Sequence, residues 1–122
     1  AMCWIRGDAA GRIAMQHDAK TPVYLAGKIT GDPYYFTKFL IAEQKLENLG
    51  YAVFNPARLP QECLPWLSYM RICFAMIDEC SAVFFLLDWR ESRGATWEYG
   101  YAVAKGKTIT FFENDKKGMP SP

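Results

Sequence analysis

The 122-residue sequence predicts an open α/β domain of the Rossmann or flavodoxin-like type, with a parallel sheet of about four to five strands and helices on both faces. Two observations carry that prediction. Short apolar runs alternate with longer segments of helical period from residue 21 to residue 112, in the order strand, helix, strand, helix, strand, helix, strand. Within that series Ser81–Leu87 (SAVFFLL) is continuous and apolar, as a central parallel strand covered on both faces must be.

Each element has its own local reason. Val23–Ala26 reads as a short buried strand that stops at Gly27. After the loop Lys28-Ile29-Thr30-Gly31, Asp32-Pro33 predicts a helix start, with an N-cap residue followed by proline at the first helical position. Phe36, Phe39, Leu40, Leu46 and Leu49 follow at helical spacing, and Gly50 supplies the stop. Tyr51–Phe54 is a second strand, closed by Asn55-Pro56. A proline-rich loop leads to a helix over about 64–79, with Leu67, Met70, Phe74 and Ile77 on one face. Gly94–Lys105 forms the next helix, ended by Gly106, and Lys107–Phe112 the last strand. The expected organisation is a leader over 1–20, one α/β domain over 21–113 and a polar tail over 114–122.

Composition narrows the function. One domain accounts for the length, since domains average roughly 100–150 residues. Half of the residues are hydrophobic and 16% aromatic, enough for a packed core. A net charge of +1 does not suit a polyanion-binding surface, so no nucleic acid polymer is expected as partner. No apolar run reaches the roughly 18–20 residues of a membrane span, and no membrane partner is expected. The four cysteines, Cys3, Cys63, Cys73 and Cys80, form no CxxC pair, and His17 is the lone histidine. No metal or other cofactor is expected from such a set. Cys73 and Cys80 lie in apolar segments, where free cysteine behaves as a small hydrophobe, so a reduced, cytoplasmic setting is expected.

Open parallel sheets bind ligands at the carboxyl ends of their strands, near the reversal of strand order. This rule selects the loops after Ala26, Phe54, Leu87 and Phe112. The third is the most chemical: Asp88 leaves the central strand, Ser92 and Gly94 precede a helix, and Glu98 is expected in that helix's first turn. A helix N-terminus attracts anions, and the same field favours an ionised Glu98. An ionised carboxylate facing a crevice can attack an anomeric carbon, with a second carboxyl group serving the leaving group. Simpler readings exist: Glu98 as a dipole complement, Ser92 as a helix cap and Gly94 as a turn glycine.

Gly94-Ala95-Thr96-Trp97-Glu98-Tyr99-Gly100-Tyr101-Ala102, followed by Gly106-Lys107, resembles the signature of the nucleoside 2-deoxyribosyltransferase superfamily, which includes the deoxynucleoside 5′-monophosphate N-glycosidases. Tyr24-Leu25-Ala26-Gly27, running into Lys28-Ile29-Thr30-Gly31, is similar to that family's first-strand glycine loop, and Asn55-Pro56 also fits. The resemblance covers about residues 22–112. It implies that Glu98 is the nucleophile, forming a glycosyl-enzyme that water or a second base resolves. The transferases usually carry an aspartate where this chain has Ser92. The monophosphate N-glycosidases are closer, with a serine that contacts the 5′-phosphate. The resemblance therefore implies a phosphate cradle from Ser92, the Gly94 backbone and the Gly27 loop, in a small-molecule nucleotide or nucleoside site. It also implies a homodimer or larger assembly.

One departure stands out. The family's acidic partner falls near Met70-Arg71-Ile72-Cys73, where Cys73 takes its place. Asp78 belongs to the wrong edge of the sheet; Asp88, at the correct edge, is the expected acid, with a solvated loop aspartate as its simpler reading. Arg71 is a further candidate for the phosphate. Lys28, Ile29 and Asn55 join the expected binding residues, and Tyr34, Tyr35 and Trp89 are candidates for stacking on a base. Phe36, Phe39, Phe54, Phe84, Phe85 and Trp97 are assigned to the core. The alternative to catalysis is a silent nucleotide-binding module on the same scaffold. Phosphotransfer is disfavoured, because no GxxxxGK[ST] loop is present.

Overall fold

A computed structural model describes residues 20–113. The expected leader and tail thus lie outside the described residues, apart from Lys20. The chain runs β1 (Thr21–Ala26), α1 (Tyr35–Asn48), β2 (Tyr51–Phe54), α2 (Trp66–Asp78), β3 (Ala82–Phe85), α3 (Arg93–Ala104) and β4 (Thr108–Phe111). Short 3₁₀ turns at Pro56–Arg58 and Trp89–Glu91 follow β2 and β3.

The four strands form one parallel sheet in the order β2-β1-β3-β4. From β1 the chain moves outward to β2, then crosses back through α2 to β3 on the other side. That reversal opens a crevice beyond the carboxyl ends of β1 and β3.

Alternation along the central strands builds two cores. Tyr24 and Ala26 of β1, with Val83 and Phe85 of β3, pack against Cys73 and Ile77 of α2 and Ala95 and Ala102 of α3. Val23 and Leu25, with Ala82 and Leu86, pack on the opposite face against Phe39, Ala42 and Leu46 of α1. The helices therefore cover both faces, as the unbroken apolarity of the strands requires.

Several boundaries and faces differ from expectation. α1 begins at Tyr35, because the Asp32 carboxylate accepts the Tyr34 N–H at 2.8 Å and closes a turn before the helix. Gly50 does end α1, at a φ of 99° that favours glycine. Met70 and Ile77 of the expected α2 stripe are buried and Phe74 is partly buried against the core, but Leu67 is exposed and Cys73 joins the inward face. Phe36 and Trp97, assigned to the core, are each 43% exposed. Phe36 sits in the first turn of α1 edge-on to Tyr35, and Trp97 leaves the sheet to pack against Trp66. Among the described residues no helix is long and apolar enough to cross a membrane.

Candidate functional site

The loops after β1, β2 and β3 meet at the crevice. The loop after β1 must pass close to β3, and Gly27 permits it: a Cβ there would lie 2.8 Å from Leu86 Cδ1 and 3.0 Å from Leu86 Cβ. The loop after β3 ends at Ser92, whose Oγ accepts the Ala95 N–H at 3.0 Å and caps α3. Between them lies a cavity of about 470 Å³, within the range of small-molecule sites. Five expected site residues line it: Gly27, Ile29, Ser92, Gly94 and Glu98.

Glu98 sits in the second turn of α3, not the first, so the helix-start field is not its main influence. It is only 5% exposed. Burial pushes its carboxyl up to about 8, against which the Tyr24 hydroxyl and then the Cys73 thiol pull it down. The expected ionised carboxylate is therefore a carboxylic acid at neutral pH in the unliganded protein. The Tyr24 hydroxyl donates to Glu98 Oε2 at 2.7 Å. Burial first, and then the neighbouring Glu98, raise the Tyr24 hydroxyl well above its usual value. Cys73 lines the cavity beside this pair, and burial pushes its thiol up to about 12. Cys73 thus keeps its proton throughout the neutral range and offers only a weak donor.

The other expected residues lie elsewhere. Trp89 is buried, stacked on Tyr99 and Phe111 at centroid distances of 4.9 and 5.6 Å, where it fills the β3–α3 core. Asn55 is buried too, donating to Glu43 Oε1 at 2.8 Å while its own oxygen accepts the Ala57 N–H. It closes the turn after β2, and its neighbour Pro56 reaches the cavity instead. Tyr35 packs on the α1 side of the sheet. Asp88 does not line the cavity: one oxygen accepts the Lys28 N–H at 3.1 Å and the other pairs with Lys38. The Lys28 side chain turns toward Glu91 at the rim, 3.9 Å away. Asp78 accepts from the Tyr101 hydroxyl at 2.7 Å, away from the cavity lining as expected.

Tyr24, the hydrogen-bond partner of Glu98, is the side chain that sequence reasoning missed. A tyrosine in a buried strand needs a partner for its hydroxyl, and that need was the available signal. Trp66 and Arg93 are further unexpected lining residues, with the Arg93 guanidinium 4.3 Å from the Trp66 ring centroid.

Residues 21–111 match the family described as "Domain of unknown function (DUF4406)". The chain belongs to the DUF4406 family. No curated protein matches this DUF4406 chain. Among the solved structures that share its fold are two transferases by name. A "2-desoxiribosyltransferase" from Leishmania mexicana is 18% identical at a TM-score of 0.62, over 84% of this chain and 74% of that one. The "2-deoxyribosyltransferase" of the psychrotolerant bacterium Bacillus psychrosaccharolyticus is 23% identical at a TM-score of 0.61, over 75% and 72% respectively. The DUF4406 domain thus has the same open α/β fold as these two structures.

Proposed function

We propose that this domain cleaves or transfers the N-glycosidic bond of a deoxynucleotide or nucleoside, with Glu98 as nucleophile. The observation that carries this reading is a buried carboxyl, held by a tyrosine hydroxyl, facing a nucleoside-sized cavity at the carboxyl ends of β1 and β3. Likeness in fold to two proteins titled as 2-deoxyribosyltransferases supports it.

The ionised Glu98 forms a bond to C1′ as the C1′–N bond breaks, and the electron pair leaves with the base. Water or a second base then attacks C1′ and frees the carboxylate. Tyr24 orients the carboxyl oxygen it bonds and favours the ionised form. Ser92, Gly94 and the Gly27 loop form the wall for a 5′-phosphate, with Arg93 adding a positive charge at the same wall. Asp88, expected as the acid, is engaged by Lys38 and the Lys28 peptide, so the leaving base takes its proton from the solvent side, where Glu91 stands. The active species is a homodimer or larger assembly, in a reducing cytoplasmic setting.

Incubation with the four deoxynucleoside 5′-monophosphates at about pH 9, above the Glu98 midpoint of about 8, tests the reading by release of free base. Release that Glu98→Ala abolishes is the expected result. The second reading, a silent nucleotide-binding module, is favoured by Cys73, whose firmly held proton makes it a poor acid. Binding without release at any pH would establish that second reading in place of the first.

A further inference from the structure

Lys38 takes no part in the chemistry above, yet its ammonium is fully committed. It donates to Asp32 Oδ2 at 2.5 Å, to Asp88 Oδ2, and to the main-chain oxygen of Lys28 at 2.9 Å. An ammonium has three donors, and each has an acceptor here. The same Asp88 accepts the Lys28 N–H through its other oxygen. Both main-chain polar groups of Lys28 are therefore held by one ion pair, which links α1, the end of β3 and the loop after β1. Lys28 stands between Gly27 and Ile29, which both line the cavity. The side chains of Lys38 and Asp88 are only 26% and 22% exposed, so their attraction is less screened than that of a surface pair.

We propose that Lys38 is a positioning residue: through Asp88 and the Lys28 peptide it holds the Gly27–Ile29 wall of the cavity in its ligand-binding shape. A simple stabilising ion pair would affect the whole fold. A positioning pair affects this wall first.

The test compares wild type, Lys38→Met, Lys38→Arg and the control Lys45→Met, an exposed lysine of the same helix. Amide hydrogen exchange is read by NMR at Lys28 and at Val23–Leu25 in the sheet. Binding of the four deoxynucleoside monophosphates is measured in parallel; only this second readout rests on the nucleotide reading of the cavity. In Lys38→Met we expect the Lys28 amide to exchange about tenfold faster or more while the sheet amides keep their protection. Affinity should fall by a similar factor, with Lys38→Arg restoring most of both and Lys45→Met changing neither. Unchanged exchange at Lys28 would overturn the proposal. So would a uniform rise across loop and sheet, or a loosened loop with undiminished nucleotide affinity. If wild type bound none of the four nucleotides, the nucleotide reading would fall, and Lys28 exchange against sheet exchange would decide the role of Lys38 alone.

Discussion

At the scale of single residues, Glu98 sets the behaviour of the site. Its carboxyl titrates near 4.5 when solvated and at about 8 in the fold, so the folded state binds the extra proton between those values. Stability contributed by that protonated form is complete below about pH 4.5 and is lost as pH rises through about 8, with a slope of up to roughly 1.4 kcal/mol per pH unit. Glu98→Gln keeps the shape and removes the proton. Urea unfolding of the two proteins should therefore diverge above about pH 5, with the glutamine variant the more stable at pH 8. Parallel curves from pH 4 to 8 would contradict this burial effect. Tyr24→Phe removes the larger of the two hydrogen bonds that favour the carboxylate, so the Glu98 midpoint should move above about 8, as read by carboxyl ¹³C NMR. The sequence pointed to Glu98 but not to its protonation, because its local helix context and its actual depth differ. Trp89 failed for a related reason: its position after β3 suggested a loop, whereas its ring joins the Phe85 and Tyr99 cluster.

At the scale of elements, the contact between Gly27 and Leu86 joins two of the loops that make the crevice. Gly27→Ala places a methyl group 2.8 Å from Leu86 Cδ1, and overpacking of that kind costs about 1–3 kcal/mol. Thermal unfolding should show the loss, and the added change Leu86→Ala should relieve part of the strain, giving a non-additive double-mutant cycle. Additive losses would mean that the loops do not press on each other there. All four strands and all three helices were legible, since continuous apolar runs and glycine stops are local signals. The start of α1 was not, because Asp32 spends its oxygens on Tyr34 and on Lys38, a residue of the helix it precedes. The inward face of α2 was read in part: Met70 and Ile77 are buried as expected and Cys73 joins them, whereas Leu67, in the first turn of the helix, is exposed.

At the scale of the whole molecule, the parallel order β2-β1-β3-β4 brings residues 27 and 98 to one cavity across two crossovers. The same strand order brings the loops after β1, β2 and β3 to the cavity, three of the four selected from the sequence. The α2–α3 surface leaves Leu67 53% and Trp97 43% exposed. Where such side chains join into one patch of several hundred Å², the patch marks an interaction surface. The expected state is a dimer or larger, and sedimentation at micromolar concentration should give at least twice the chain mass of 13.9 kDa. A monomeric mass would refute it.

The hydrogen held by Glu98 at neutral pH also couples occupancy of the cavity to the acidity of the medium. A guest that needs the carboxylate must expel that hydrogen to bulk water and so binds more tightly in alkaline solution. A guest that accepts from the carboxylic acid favours the reverse. The ionisation of one buried carboxyl thus sorts the guests such a cavity would favour.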